Sequence, residues 1–112
     1  MIQHIVCMKF KPDVSETDIE ALEKGFDALP NTIVEIQSYE FGRDVVQSER
    51  SYDFGLVSLF ANTASLERYQ AHPEHQKVLE IIKRICARIV TVDFEYEFKA
   101  AQSDDMPRTP LF

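Results

Sequence analysis

IQHIVCMKF, residues 2–10, sets the architecture expected of this chain, because apolar side chains occur at both alternate sets of positions in it. Side chains alternate between the two faces of a β-strand. One face carries Ile2, His4, Val6, Met8 and Phe10. The other face is also largely apolar, with Ile5 and Cys7 on it. A strand of this kind belongs in the middle of a sheet that is covered on both sides.

The segment after this strand predicts a helix with a clear start signal. SETD, residues 15–18, has the form of a capping box, in which Ser15 caps the helix and the side chain of Asp18, three residues later, bonds back to the backbone of Ser15. We therefore interpret Asp18 as a capping residue. Apolar residues follow at helical spacing, at Ile19, Leu22, Phe26 and Leu29. Pro30-Asn31 is predicted to end the helix.

A second helical region is predicted to break at Pro73. Proline is well tolerated at the first position of a helix, and the residue before a proline is disfavoured in the helical conformation. A short helix capped by Asn62 should therefore end near His72, and a longer helix should begin at Pro73. The apolar positions of the longer helix are expected at Val78, Leu79, Ile82, Ile85, Cys86 and Ile89.

Three further stretches predict strands, at residues 33–41, 52–60 and 90–98. Residues 52–60 are again apolar on both faces, whereas the other two stretches are more polar on one side. The order β-α-β-β-α-β is the ferredoxin-like pattern, in which the first and third strands are central. We therefore predict an α+β fold with a four-stranded antiparallel sheet and helices on one face. Because the helices cover only that face, the other is expected to pack on the sheet of a second copy, giving a homodimeric barrel.

The overall composition argues against several classes of function. The chain has 112 residues and a net charge of −7, which disfavours binding to nucleic acid and to anionic membranes. No apolar run reaches the roughly 18 residues of a membrane-spanning helix, and residues 1–10 do not have the pattern of a signal peptide. The two cysteines form no motif, so we expect a reduced, cytoplasmic protein.

The domain is expected to span residues 1–99, followed by a C-terminal tail at residues 100–112. The tail carries the apolar residues Met106, Leu111 and Phe112. We predict that they dock on the body of the protein or on the partner subunit.

The break at Pro73 predicts a ligand pocket. Tyr69 continues the apolar stripe of the short helix and His75 that of the longer one, so both should point at the sheet face that carries His4. An apolar cavity with a few convergent polar groups is typical of a ligand site. Its apolar wall is expected to consist of Val6, Met8, Phe26, Phe54, Leu56, Val78 and Leu79.

Other interpretations of these residues are open at this stage. A buried histidine can simply pair with a tyrosine or a backbone carbonyl. His4, His72 and His75 could form a zinc site, but HPEH lacks the HExxH spacing, and we predict neither a metal nor a cofactor. A glycine-rich phosphate loop is absent from the sequence, which has three glycines. The acidic residues of the last strand are expected to form a solvated or dimer-facing row of Asp93, Glu95 and Glu97.

Three segments together resemble the stress-responsive A/B barrel (Dabb) family. They are HIVCMKFKPDVSETDIEAL at 4–22, YDFGLVSLFANTASLERYQAHPEHQ at 52–76 and VTVDFEYE at 90–97. The resemblance covers roughly residues 2–98 and implies a ferredoxin-like chain that dimerises through its sheet. Some relatives carry magnesium, although no carboxylate cluster here calls for it.

The resemblance also implies a candidate chemistry. Plant polyketide cyclases of this family catalyse an intramolecular aldol condensation without a cofactor. In them a histidine matching His75 acts as general base, a tyrosine matching Tyr69 positions or polarises the polyketide, and a histidine matching His4 lines the pocket. This sequence departs from them at Phe54, where those cyclases have a histidine.

The sequence alone does not decide whether the protein is an enzyme. Cyclase-like proton chemistry on a small apolar or aromatic carbonyl compound is the first hypothesis. The alternatives are a non-catalytic binding or stress-response protein, a structural assembly, and a cofactor-free monooxygenase. The last of these rests on analogy of fold alone.

Overall fold

The computed structural model describes residues 1–97, which form one four-stranded sheet with three helices. The elements in chain order are β1 (Ile2–Phe10), α1 (Glu16–Thr32), β2 (Ser38–Arg43), β3 (Phe54–Phe60), α2 (Thr63–Ala71), α3 (Pro73–Ile85) and β4 (Cys86–Glu95). The strand order is β2-β3-β1-β4, and every neighbouring pair is antiparallel. The predicted ferredoxin-like fold is confirmed, with β1 and β3 at its centre. The predicted docking of the tail falls outside the described residues.

The helix starts follow their sequence signals. The Ser15 hydroxyl accepts a hydrogen bond from the backbone N–H of Asp18, and the Asp18 carboxylate accepts one from the backbone N–H of Ser15. Asn62 caps α2 by accepting from the backbone N–H of Ser65 at 2.8 Å. His72 separates α2 from α3, with Pro73 at the first position of α3, as predicted.

Several element boundaries differ from the prediction. Helix α1 continues through Pro30 to Thr32. A proline near the end of a helix removes only one hydrogen bond, and the backbone N–H of Ile33 still bonds the Leu29 carbonyl at 2.9 Å. Strand β2 begins at Ser38 rather than at residue 33, and Ile33 enters the core. Strand β3 begins at Phe54, two residues later than predicted.

The largest correction concerns the junction of α3 and β4. Cys86 and Ile89, which the spacing assigned to the helix, belong to β4. Strand β4 starts directly after α3, because it pairs with β1 over almost its full length, from Phe10 opposite Cys86 to Ile2 opposite Glu95. The strand ends at Glu95, before the predicted residue 98.

The core lies between the sheet and the helices. The buried side chains of the two central strands are Ile2, His4, Val6, Met8, Phe54, Leu56, Ser58 and Phe60. They pack against the inward stripes of α1, α2 and α3. Helix α1 approaches α3 closely at Gly25, where an added Cβ would lie 3.0 Å from a methyl carbon of Val78.

The opposite face of the sheet carries no helix of the described chain. Several of its apolar side chains are at least one third exposed, namely Val57, Val90, Val92 and Phe94. Ile5 and Cys7 lie on the same face between them, opposite Val92 and Val90. No helix among residues 1–97 is long and apolar enough to cross a membrane.

Candidate functional site

A cavity of about 310 Å³ lies between the helix-bearing face of the sheet and helices α2 and α3. The sheet and α1 contribute His4, Val6, Met8, Phe26, Leu56, Ile89 and Thr91 to its wall. Helices α2 and α3 contribute Tyr69, Gln70, His75, Gln76, Leu79 and Ile82. The exposed members of this set are Gln70, Gln76, Ile89 and Thr91, so they form the mouth.

The break between α2 and α3 brings two of the predicted residues together. The backbone N–H of His72 bonds the Tyr69 carbonyl at 3.1 Å, and its Nδ1 accepts a hydrogen bond from the backbone N–H of Glu74 at 3.1 Å. His72 thus closes one helix and opens the next. As a result, the rings of Tyr69 and His75 lie with their centroids 4.4 Å apart.

The imidazole of His75 is held in one tautomer. Its Nδ1 lies 3.1 Å from the backbone carbonyl oxygen of Gln70. A carbonyl can only accept, so Nδ1 carries the proton and Nε2 has a free lone pair when the ring is neutral. Burial lowers the pKa of His75, which outweighs the opposing effect of the bond to Gln70. The neutral, basic form is therefore favoured near pH 7.

The hydroxyl of Tyr69 is paired with a residue that the sequence did not indicate. Tyr69 is fully buried, and its hydroxyl oxygen lies 2.8 Å from that of Tyr39 on β2. Burial raises the pKa of Tyr69 to about 12, although the hydrogen bond from Tyr39 lowers it. Burial raises the pKa of Tyr39 further still. Both phenols are neutral at physiological pH and can act as hydrogen-bond donors.

His4 also has a partner that the sequence did not indicate. Its Nδ1 is hydrogen-bonded to the carboxylate of Asp93. Asp93 was predicted to lie in a solvated or dimer-facing row; its side chain is 41% exposed, and it lies on the helix-bearing face, opposite His4 in the sheet. The carboxylate accepts a hydrogen bond from Nδ1–H, which leaves the Nε2 lone pair free when the His4 ring is neutral. The rings of His4 and Tyr69 meet edge to face, with centroids 6.3 Å apart.

Two residues predicted for the apolar wall do not line the cavity. Phe54 is buried, but it stacks on Phe41 with centroids 6.1 Å apart. Val78 is buried against Gly25 of α1. The other five predicted apolar residues, which are Val6, Met8, Phe26, Leu56 and Leu79, line the cavity.

Two further wall residues, both on β4, were missed because their positions depend on where that strand begins. Ile89 and Thr91 face the cavity since they pair with Met8 and Val6 of β1. Their alternation with Val90 and Val92 was the signal that could have located them.

The three histidines do not form a metal-binding group. In the described part of the chain, no three His, Cys, Asp or Glu side chains are grouped closely enough to hold a metal ion. His72 is engaged as a helix cap, and His4 and His75 are each bonded through Nδ1 to another group.

These features define a ferredoxin-like α+β protein with an apolar cavity that holds two histidines and a tyrosine. The Dabb family, the stress responsive A/B barrel domain, matches the chain over residues 2–96, so the chain belongs to this family.

Relatives with known sequences span most of the chain. The stress-response A/B barrel domain-containing protein HS1 of Arabidopsis thaliana is 27% identical over 84% of this chain and 88% of its own length. Olivetolic acid cyclase of Cannabis sativa is 23% identical over 83% of this chain and 94% of its own length. A solved structure from Thermobifida fusca, described as a dimeric ferredoxin-like protein of unknown function, has a TM-score of 0.79 and 30% identity. It covers 85% of this chain and 90% of its own.

Proposed function

We propose that this protein binds a small apolar or aromatic carbonyl compound in the cavity, and that His75 removes a proton from the carbon next to the carbonyl group. One observation carries the proposal. The hydrogen bond from Nδ1 of His75 to the Gln70 carbonyl leaves Nε2 as a neutral base, on an imidazole that lines the cavity beside Tyr69. A base whose lowered pKa keeps it neutral suits proton abstraction near pH 7.

The other polar side chains of the wall fit the same chemistry. Proton removal creates an enolate, whose oxygen carries the developing negative charge. The Tyr69 hydroxyl is the donor assigned to that oxygen, in surroundings where water is scarce and a hydrogen bond is worth more. His4 is assigned the role of orienting the carbonyl compound. The step uses these residues alone and requires no cofactor.

The similarity to olivetolic acid cyclase supports a cyclase-like use of this base. In a cyclisation the enolate carbon would attack a second carbonyl carbon of the same molecule, and the resulting alkoxide would take up the proton that His75 had removed. Phe54 stands where the plant cyclases have a histidine, and it packs into the aromatic core and supplies no polar group. The chemistry of this cavity is therefore expected to be narrower than that of the plant cyclases.

The test follows proton removal directly. Acetophenone has an aromatic ring beside a methyl ketone, and exchange of its methyl protons in D₂O is measured by NMR. The protein is expected to accelerate this exchange, and His75→Ala to lose the acceleration while still folding and binding acetophenone. His72→Asn, which keeps a helix cap outside the cavity, is the control and should retain the rate. No acceleration by the unaltered protein, or a full rate in His75→Ala, would reject the proposed base.

The same experiment distinguishes the proposed proton chemistry from the alternative of a non-catalytic binding protein. Binding of acetophenone, seen as broadening of its NMR signals, without exchange in the unaltered protein would favour that alternative. Phe54 favours this alternative, because it stands where the plant cyclases have a histidine.

We further propose that two copies associate through the sheet face without helices. Its exposed apolar residues, Val57, Val90, Val92 and Phe94, support this association, because burying such a patch is favourable. The dimeric description of the Thermobifida fusca protein also supports it.

A further inference from the structure

Two tyrosines meet hydroxyl to hydroxyl at the wall of the cavity. Tyr39 comes from β2 and Tyr69 from α2, and their oxygens are 2.8 Å apart. The Tyr69 side chain has no exposed surface and lines the cavity, whereas Tyr39 lies behind it and does not. The pair therefore connects the cavity to β2, the edge strand on the opposite side of the sheet from β4.

The chemistry of a carbonyl ligand fixes the direction of this hydrogen bond. A phenol has one proton to donate and an oxygen that accepts. A carbonyl or enolate oxygen in the cavity has no proton to give, so Tyr69 must donate to it. The Tyr69 oxygen can then only accept, and Tyr39 must be the donor of the second bond.

We propose that Tyr39 is a positioning residue, which donates to the Tyr69 hydroxyl and thereby directs the Tyr69 proton towards a carbonyl oxygen bound in the cavity. The bond from Tyr39 also stabilises the partial negative charge that Tyr69 gains when it donates strongly. The identity of the ligand rests on the proposed function, but the hydrogen bond itself is testable without a ligand.

A purely structural role would need only the ring of Tyr39. The ring packs against Phe26 and Phe41, with centroids 6.1 and 6.4 Å away. Phe41 is two residues along the same face of β2 and serves in the aromatic core without a hydroxyl. A phenylalanine at position 39 preserves this packing, so Tyr39→Phe isolates the contribution of the hydroxyl.

The first experiment measures the ionisation of each phenol. The four tyrosines of the chain are replaced by 3,5-difluorotyrosine, whose phenol ionises at lower pH, and ¹⁹F NMR follows each signal with pH. Single Tyr→Phe variants assign the signals. Tyr39→Phe is expected to lower the acid dissociation constant of Tyr69 about tenfold, because the Tyr69 phenolate loses a hydrogen-bond donor. Tyr52→Phe, distant from the cavity wall, is the control and should leave Tyr69 unchanged.

The reciprocal variant tests the direction. Tyr69→Phe removes the neighbour whose charge and hydrogen bond hold Tyr39 protonated, so Tyr39 should ionise more readily. Tyr39→Phe should thus raise the pKa of Tyr69, whereas Tyr69→Phe should lower the pKa of Tyr39. Shifts in the reverse sense, or no shift of Tyr69 in Tyr39→Phe, would overturn the proposal. The reciprocal variant reports the same bond if Tyr39→Phe does not fold.

The second experiment connects the bond to the ligand. In the acetophenone assay, Tyr39→Phe is expected to reduce proton exchange about tenfold, with far-UV circular dichroism unchanged. Failure of the unaltered protein to catalyse exchange would count against the proposed function, while the ¹⁹F shifts would still decide the role of Tyr39. Normal exchange by Tyr39→Phe would likewise overturn this inference and leave the proposed function standing.

Discussion

His4 on β1 is hydrogen-bonded through Nδ1 to the carboxylate of Asp93 on β4. The two residues face each other in the antiparallel register, on the side of the sheet that carries the helices. His4 is 6% exposed, whereas the Asp93 side chain is 41% exposed. The buried imidazole thus depends on a partly solvated carboxylate at the edge strand for its orientation.

Replacement of Asp93 by alanine should therefore destabilise the protein. The His4 Nδ1–H loses its acceptor, and a hydrogen bond to a half-exposed charge contributes about 1 kcal/mol. The free energy of unfolding, measured by urea denaturation at pH 7.5, should fall by about that amount. Glu95→Ala is the matched control, because Glu95 lies two positions along the same face of β4. An equal loss in both variants would contradict the assigned pairing.

The protonation of His75 should make stability fall at mildly acidic pH. Its pKa in the folded protein is lowered by burial, so the unfolded chain binds a proton first as the pH drops below about 6.5. The unfolded state then binds more protons than the folded one, and the free energy of unfolding decreases down to the lower, folded pKa.

The measurement compares urea denaturation at pH 7.5 and pH 5.5. His75→Gln should show a smaller loss of stability between these two values than the unaltered protein. Gln76→Ala provides the control, because Gln76 bonds the same Gln70 carbonyl but does not titrate. Identical pH dependence in His75→Gln and the unaltered protein would show that His75 is not the responsible group.

The Tyr39–Tyr69 hydrogen bond should appear as an energetic coupling. Each single Tyr→Phe variant leaves the other hydroxyl, buried on Tyr69 and partly buried on Tyr39, without its partner and should cost about 1–2 kcal/mol. The double variant removes both hydroxyls, so its cost should be smaller than the sum by about 1 kcal/mol, measured by urea denaturation. Tyr69→Phe combined with Tyr52→Phe should instead be additive. Additivity in both pairs would argue against a direct bond.

The sequence predicted the two central strands well, because apolar residues on both of their faces indicated a position in the middle of the sheet. The faces that carry Val6 and Leu56 are those that meet the helices. The start of β4 was missed because no loop separates it from α3, so the helical spacing continues smoothly through Cys86 to Ile89. The helical spacing alone therefore does not show where α3 ends.

Part of the candidate site was predictable from local pattern. The inward stripes of α2 and α3 placed Tyr69 and His75 towards the face of His4, and the structure brings all three to one cavity. Their chemical roles stay predictions. Tyr39 and Asp93 were not predictable, because their contacts depend on the register of β2 against β3 and of β4 against β1. Such registers involve residues far apart in the chain.

The exposed apolar face of the sheet leads to a prediction about assembly. Val92 lies on β4 opposite Ile5, on the face without helices, and is 52% exposed. An aspartate there would place a negative charge inside the proposed interface, and burying an unpaired charge away from water is costly. Val92→Asp should therefore convert a dimer into a monomer, as measured by sedimentation velocity.

The control for this prediction is an exposed valine away from the sheet. Val45 follows β2 in the connection to β3 and is 89% exposed, so Val45→Asp should leave the mass unchanged. The monomeric Val92→Asp should keep its far-UV circular dichroism, because Val92 contributes little to the core within one chain. A Val92→Asp protein that sediments with the same mass as the unaltered dimer would exclude this face as the interface, since two buried aspartates could not be accommodated there.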